Sequence, residues 1–222
     1  MGTSGSRRSL ELPVKTQLEP VVWVVDDDPA VREYLRLLIE SVGLRVETCP
    51  TAQEFLDVYD ASVAGCLVLD VRMPGLSGFD LQAELATRGM RLPIIMMTGH
   101  AEVPMAVRAM RAGAIDFVQK PVDGQMLLER IQQAIEADRR LRRVTAERAQ
   151  VRVKLERLTP RQRAVLAGLV DGKPSKVIAA ELGLSPKTVD VHRSRLMERL
   201  NARSLPDLFR LVSLVADDEA HS

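Results

Sequence analysis

Between residues 21 and 123, short apolar runs alternate with segments in which apolar residues recur every three or four positions. The apolar runs predict five β-strands, at Val21–Val25, Arg45–Cys49, Cys66–Leu69, Pro93–Met97 and Ile115–Val118. The segments that follow them have the spacing of amphipathic helices, over 29–42, 51–59, 77–88 and 102–112 and again from residue 123 onwards. This alternation is typical of an α/β fold, here with a five-stranded, doubly wound parallel sheet.

The helical spacing then continues from Asp123 to Leu158, with no Pro or Gly after Gly124. At about 1.5 Å per residue, this segment predicts a helix of roughly 50 Å. Its inner heptad positions are apolar except for one, and they are Ala134, Ala137, Leu141, Val144, Arg148, Val151, Leu155 and Leu158. Two interpretations stay open: a two-stranded coiled coil, and a helix that packs on the chain's own domains.

The last part of the chain is predicted to be entirely helical. Thr159, followed by Pro160 and then by Gln162, is a typical helix start, and this helix should end near Gly172. Further helices are predicted over 175–182, 186–200 and 205–215. The first two of these are joined by a three-residue turn that begins at Gly183, which is the pattern of a helix-turn-helix.

The chain has 31 Lys and Arg against 30 Asp and Glu, but the charges are unevenly distributed. The predicted α/β domain at 21–123 has a net charge of −6, the linker helix at 124–158 has +4, and the helical domain at 159–216 has +5. A basic second half predicts a polyanionic partner, although an excess of this size is also typical of an ordinary solvated face. The remaining segments, 1–20 and 217–222, are predicted to be tails.

Composition excludes several other classes of protein. A chain with 46% hydrophobic and 27% charged residues is neither disordered nor fibrous. No apolar run approaches the roughly 18 residues of a membrane span, and no signal peptide opens the sequence. Two cysteines, Cys49 and Cys66, provide neither a disulfide framework nor a zinc site. We therefore expect a cytoplasmic protein without a membrane partner.

Polar residues follow four of the five predicted strands. Asp26, Asp27 and Asp28 come after the first strand, Asp70 after the third, Thr98 after the fourth and Lys120 after the fifth. Ligands of doubly wound sheets bind at the carboxyl ends of the strands, so these side chains should lie together. Clustered carboxylates require a cation, and oxygen ligands suit Mg²⁺. A single Asp at a strand end is usually a cap, but the whole set predicts a phosphoryl site on a carboxylate.

The same segments resemble the receiver domain of two-component response regulators, which has a flavodoxin-like fold. The resemblance is carried by VVWVVDDD, LVLDVRMPGLSG, IIMMTGHAEVPMAV and AGAIDFVQKPV. It implies a role for each matching residue: Asp70 as phosphoacceptor; Asp26, Asp27, Asp70 and the backbone carbonyl of Arg72 as Mg²⁺ ligands; Thr98 as the switch hydroxyl; and Lys120 as the phosphate-binding lysine. It also implies a cis bond before Pro121 and an aromatic switch at Phe117, for which an ordinary core aromatic is the alternative. Asp28 matches no ligand and is expected to cap the first helix.

The predicted helix over 186–200 has two different faces. Val189, Leu196, Met197 and Leu200 share the core side, while Lys187, Val191, Ser194, Arg195 and Glu198 share the other. A charged helix of this kind could simply be solvated on a protein-binding module. An apolar Val191 in the middle of the polar face favours DNA, because such a residue can meet a thymine methyl group in the major groove.

The motifs LTPRQRAVL and SKVIAAELGLSPKTVDVHRSRLMERL resemble the LuxR/NarL-type helix-turn-helix domain. The resemblance implies base or phosphate contacts for Lys187, Thr188, Val191, Ser194 and Arg195, and backbone contacts for Lys176 and Arg193. His192 is expected to be packed or bonded to a phosphate rather than catalytic, because no carboxylate or nucleophile accompanies it in a recognisable spacing. Together with the receiver, the arrangement resembles the FixJ-like subgroup of response regulators.

The resulting expectation is a transcriptional regulator activated by phosphorylation, with a sensor histidine kinase, promoter DNA and RNA polymerase as partners. Dimerisation on activation is expected through the 102–112 helix and the strand after it, or through the long helix. No enzymatic turnover is expected beyond self-phosphorylation at Asp70 and slow autodephosphorylation. Two alternatives are a phosphorylation-dependent module that binds a protein in place of DNA, and a phosphatase that uses Asp70 as nucleophile. The phosphatase is disfavoured because 222 residues leave no room for a cap domain.

Overall fold

The computed structural model of the chain describes residues 19–219, without the side chains of 217–219. The predicted N-terminal tail lies outside the described residues except for 19 and 20. Of the predicted C-terminal tail, 217–219 continue the last helix and the rest lies outside the described residues. The chain forms two compact units, with their boundary between Arg140 and Leu141. Within the described residues, no helix has both the length and the apolar character needed to cross a bilayer.

Strands and helices alternate in the first unit. The elements are β1 Val21–Val25, α1 Pro29–Glu40, β2 Arg45–Cys49, α2 Ala52–Val58, β3 Gly65–Asp70, α3 Gly78–Thr87, β4 Ile94–Thr98, α4 Val103–Arg111, β5 Asp116–Gln119 and the beginning of α5 Gly124–Glu156. The strand order is β2-β1-β3-β4-β5, and every neighbouring pair is parallel. This confirms the predicted doubly wound, five-stranded sheet.

The three central strands β1, β3 and β4 are almost entirely apolar because both faces of the sheet are covered there. Alternate residues of β1 separate into the two cores: Val21, Trp23 and Val25 pack on one face with residues of α2, α3 and α4. Val22 and Val24 pack on the other face with residues of α1 and α5. All of β1, β3 and β4 is buried.

Side-chain caps determine where several helices begin, and they explain the small differences from the predicted bounds. Asp28 accepts the Ala30 N–H at 2.8 Å, so its predicted role as the cap of α1 is confirmed. Thr51 and Ser77 were predicted inside helices but lie just before α2 and α3, where each accepts a backbone N–H. The first helix was predicted to reach residue 42 and ends at Glu40.

A buried carboxylate fixes the start of β3 to helix α5. Asp138 is 1% exposed, and its Oδ2 accepts the N–H of Gly65 at 2.9 Å. This N–H lies at the first position of β3, away from water, so it needs an acceptor inside the protein. Asp138 therefore fixes α5 to the end of β3 opposite Asp70.

We expect Asp138→Ala to lower the free energy of unfolding by about 1–3 kcal/mol, because the buried Gly65 N–H would lose its acceptor. Asp138→Asn keeps an oxygen in the same place and should cost less. Urea unfolding of the two variants and the wild type measures the difference. Equal losses for Ala and Asn would show that the hydrogen bond contributes nothing to stability.

The second unit contains the end of α5 and four further helices. These are α6 Pro160–Val170, α7 Ser175–Leu182, α8 Pro186–Leu200 and α9 Leu205–Glu219. The predicted helix start is confirmed as a capping box, in which the Gln162 N–H donates to Thr159 Oγ1 at 3.3 Å and the Thr159 N–H to Gln162 Oε1 at 3.0 Å. Gly183, with φ +65°, ends α7 in the left-handed conformation that glycine adopts without strain. The last helix runs past the predicted residue 215, because no Pro or Gly interrupts it there.

Parts of the predicted coiled-coil seam are already used within each unit. Ala134 is buried in the core of the first unit, and Val151 and Leu158 are buried in the core of the second. Leu141, by contrast, is 40% exposed. The two ends of α5 therefore follow the interpretation of a helix that packs on its own domains. The coiled coil between them stays a prediction, and so do the predicted domain bounds.

Candidate functional site

Three of the predicted site residues meet at the carboxyl end of the sheet. Strands β1 and β3 are neighbours, so Asp26 and Asp70 lie side by side, and both are buried. The ammonium of Lys120, from the loop after β5, lies 2.5 Å from Asp26 Oδ2 and 2.5 Å from Asp70 Oδ1. Two carboxylates that would otherwise repel each other thus share one cation. The bond between Lys120 and Pro121 is cis, as the resemblance implies.

Each oxygen of these two carboxylates has a hydrogen-bond donor. Asp70 Oδ2 accepts the Arg72 N–H at 2.7 Å, and Asp26 Oδ1 accepts the Asp28 N–H at 3.0 Å. Arg32 also belongs to the site, since its guanidinium donates to the backbone carbonyl of Asp26 at 2.6 Å. The sequence interpretation missed Arg32, because its partner is a backbone carbonyl, which no side-chain pattern marks.

Burial and neighbouring charges shift the pKa values of Asp70 and Lys120 in opposite directions. Burial raises the pKa of the Asp70 carboxyl above its ordinary value of 3.8, and the neighbouring Lys120 offsets part of the rise. Burial alone would lower the pKa of Lys120, but the hydrogen bonds from its ammonium to Asp26 and Asp70 outweigh that effect and raise it above 10.5. Lys120 is therefore charged at neutral pH and held against both carboxylates.

We expect Asp70→Asn to be more stable than the wild type at pH 7 in the absence of divalent metal. A carboxyl whose pKa is higher in the folded state binds its proton more tightly there, so folding loses stability as the pH rises above 3.8. The asparagine lacks this penalty, and its advantage should shrink as the pH falls towards that value. Thermal unfolding at several pH values tests this, with Glu102→Gln at an exposed position as control. A stability difference that does not change with pH would contradict the prediction.

The predicted Mg²⁺ ligands are not gathered around an ion position. Asp27 is exposed and lines a cavity of about 650 Å³ with Arg72, Met73 and Phe79, while Asp26 and Asp70 are held by Lys120. Across residues 19–219, no three His, Cys, Asp or Glu side chains are already arranged to hold a metal. The donor set nevertheless fits Mg²⁺, since all the predicted ligands are oxygen atoms and the open cavity beside Asp27 and Arg72 leaves room for water ligands.

The switch residues lie next to this cluster. Thr98 is buried, and its hydroxyl is 3.3 Å from both the N–H and the carbonyl oxygen of His100, so it bonds to its own loop. The Lys120 N–H donates to the Thr98 carbonyl at 2.8 Å, which fixes the two residues side by side. Phe117 is half-buried and packs against the core between the sheet and α2, α3 and α4. Its contacts are those of a core aromatic, and a switching movement stays a prediction.

Helix α8 has the two faces that its spacing predicts. Val189, Leu196 and Leu200 are buried, and Met197 packs on the same core. The predicted DNA contacts differ in exposure: Lys176 on α7 and Lys187, Val191, Ser194 and Arg195 on α8 are exposed, whereas Thr188 and Arg193 are half-buried. His192 is half-buried, and its Nδ1 has no hydrogen-bond partner among the described residues. Packing therefore describes His192 better than catalysis does.

The fold and the two sites define a class of protein: one chain that combines an acidic site, at the carboxyl end of a doubly wound sheet, with a helix-turn-helix. Comparison with known families agrees with each half. Residues 22–132 match the response regulator receiver domain, and residues 156–212 match the bacterial regulatory proteins of the luxR family.

Similar proteins extend over nearly the whole chain. Nodulation protein W of Bradyrhizobium diazoefficiens is 43% identical over 202 residues, which cover 91% of this chain and 89% of that protein. The transcriptional regulatory protein FixJ of Azorhizobium caulinodans is 43% identical over 201 residues, covering 89% and 95%. Among solved structures, the response regulator StyR matches with a TM-score of 0.80 at 44% identity, covering 88% of this chain and 98% of its own.

The chain therefore belongs to the response regulators that combine a receiver domain with a LuxR-type DNA-binding domain. The predicted family, fold class and function are confirmed: this is a transcriptional regulator whose activity depends on phosphorylation. The receiver domain implies a cognate sensor kinase, and the LuxR-type domain implies DNA binding.

Proposed function

We propose that Asp70 accepts the phosphoryl group from a phosphohistidine of a sensor kinase, and that the phosphorylated chain dimerises and binds promoter DNA. The observation that carries this proposal is the Lys120 ammonium, which lies 2.5 Å from Asp70 and 2.5 Å from Asp26. An aspartate held in this way lies close to a cation that can neutralise an incoming phosphoryl group. RNA polymerase is the expected partner at the promoter.

The reaction transfers a phosphoryl group from an imidazole nitrogen of the kinase to a carboxylate oxygen of Asp70. An oxygen of Asp70 attacks phosphorus, the bond from phosphorus to the donor's imidazole nitrogen breaks, and that nitrogen keeps the electron pair. Lys120 stabilises the negative charge of the phosphoryl oxygens. The carboxylates of Asp26, Asp27 and Asp70 and the carbonyl of Arg72 would hold Mg²⁺, which when bound supplies further neutralisation of that charge. Slow hydrolysis of the acyl phosphate would return the site to its resting state.

For activation, phosphorylation of Asp70 must change the position of a nearby surface that can form a dimer interface. A phosphoryl group on Asp70 offers the Thr98 hydroxyl a charged acceptor, stronger than the backbone carbonyl of His100 that it now contacts. Movement of this loop would displace α4, which follows it directly. The outer face of α4 and the residue just before β5 expose apolar side chains: Val103 is 78%, Val107 44%, Met110 48% and Ile115 42% exposed. This patch supports dimerisation through α4 and β5.

DNA binding is assigned to the exposed face of α8, with its basic residues on phosphates or base edges. A two-fold dimer would bind paired half-sites about one helical turn apart. Because phosphate contacts release counterions, the affinity should fall steeply with salt. The match to the luxR family supports DNA over the alternative of a protein partner.

Light scattering of the full chain with and without Mg²⁺ and beryllofluoride tests the proposal without a partner kinase, because beryllofluoride stands in for a phosphoryl group on a carboxylate. We expect the wild type to change from monomer to dimer and Asp70→Asn to stay monomeric. If the wild type is a dimer both with and without beryllofluoride, the dimer interface is formed by α5 and not by α4 and β5. A wild type that stays monomeric would show that the dimerisation mechanism is wrong.

A further inference from the structure

The exposed face of α8 contains a carboxylate among its predicted DNA contacts. Asp190 is exposed, lies next to Val191, and is one helical turn from both Lys187 and Ser194. Its Oδ1 accepts a hydrogen bond at 2.9 Å from the hydroxyl of Ser175, the first residue of α7. Within residues 19–219, no lysine, arginine or histidine forms an ion pair with Asp190. This carboxylate is thus held by a hydrogen bond and not by an ion pair within the described residues.

A negative side chain on a DNA-binding surface is repelled by phosphates unless it meets a hydrogen-bond donor. In the major groove, donors are supplied only by the amino groups of cytosine and adenine, and acidic side chains pair with the N4 amino group of cytosine. The basic residues near Asp190 reduce the electrostatic repulsion between its carboxylate and DNA, but none of them forms an ion pair with Asp190 within the described residues. A cytosine amino group is the partner whose chemistry fits.

The hydrogen bond from Ser175 prepares Asp190 for such a contact. Serine at a helix start often caps its own helix, but here the cap position is Pro174 and the Ser175 hydroxyl donates to α8 instead. One oxygen of Asp190 is thereby held, which restricts the side-chain rotamer and leaves Oδ2 as an acceptor. A side chain fixed before binding loses less conformational entropy when it contacts a base.

We propose that Asp190 contacts the amino group of a cytosine in the major groove and so determines one position of the recognised half-site, with Ser175 as its positioning residue. The proposal rests on DNA binding by α8. It assigns a base preference to one residue of this chain, whereas Lys187 and Arg195 are assigned mainly to affinity.

Selection from a random DNA pool, with the full chain in Mg²⁺ and beryllofluoride, tests the assignment. The wild type should enrich a site with a cytosine at one fixed position of each half-site. Asp190→Ala should lose the preference at that position alone, and its affinity for the selected site should fall about 5- to 150-fold. Asp190→Asn should change the preference to adenine, because asparagine pairs with adenine N6 and N7. Ser175→Ala should keep cytosine but with a weaker preference.

Glu198→Ala is the matched control, since Glu198 is the other carboxylate of α8, is also exposed and lies about two helical turns closer to the C-terminal end than Asp190. It should leave every base preference unchanged. The inference is overturned if Asp190→Ala enriches the same sequences as the wild type, or binds all sequences more tightly by the same factor. In that case the carboxylate would only connect α7 to α8. A wild type that enriches no sequence would overturn DNA binding itself, and this inference with it.

Discussion

Lys120→Met should destabilise the receiver unit and abolish its response to beryllofluoride. The ammonium lies between two carboxylates whose side chains are 0% and 6% exposed, and its removal leaves Asp26 and Asp70 facing each other without a cation. Removing one partner of a buried charge cluster typically costs several kcal/mol, and we expect a loss of about 3 kcal/mol here. The remaining carboxylates would also lack the positive charge that attracts a phosphoryl group.

Lys173→Met is the matched control for this experiment. Lys173 also has two carboxylate partners, 2.9 Å from Glu181 and 3.7 Å from Asp171, but all three groups are on the surface. Exposed ion pairs contribute at most about 1 kcal/mol, so this variant should unfold nearly like the wild type. Urea unfolding in EDTA measures stability, and light scattering measures the response. Equal losses for the two variants would show that burial adds nothing to the interaction of Lys120.

The sheet and the meeting of Asp26, Asp70 and Lys120 could be predicted because both follow from chain-local rules. Strands covered on both faces are apolar at every position, and parallel strands bring their carboxyl ends to one edge. The contacts made by Asp138 and Arg32 could not be predicted in this way. Asp138 bonds to a residue 73 positions away, and Arg32 bonds to a backbone carbonyl, which no side-chain pattern marks.

In the helical unit, too, local features could be predicted from the sequence and contacts between helices could not. Its capping box and turn are local, so Thr159 and Gly183 were predicted correctly. The interaction of Ser175 with Asp190 depends on the packing of α7 against α8, and neither residue stood out in the sequence. Exposure also differs along the predicted DNA contacts, since Thr188 is half-buried and its hydroxyl is 2.8 Å from that of Ser185 at the start of the helix. A hydroxyl held in this way by the N-cap residue Ser185 is less available to DNA than the side chains of Lys187 or Arg195.

Gly78→Ala should have a large effect on both folding and the response to beryllofluoride, because Gly78 lies against the backbone of Asp70. A Cβ at this position would lie 2.2 Å from the carbonyl oxygen of Asp70, a distance at which one of the two segments must move. Backbone cannot yield as a flexible side chain does, so we expect a loss of about 3 kcal/mol. Because α3 begins at Gly78, its displacement should also move Asp70 relative to Lys120 and weaken the response to beryllofluoride.

Gly99→Ala is the control: its added Cβ meets nothing within 4 Å, although Gly99 directly follows Thr98 at the same edge of the sheet. If both alanine variants unfold at the same urea concentration, the close approach of α3 to Asp70 does not constrain the site.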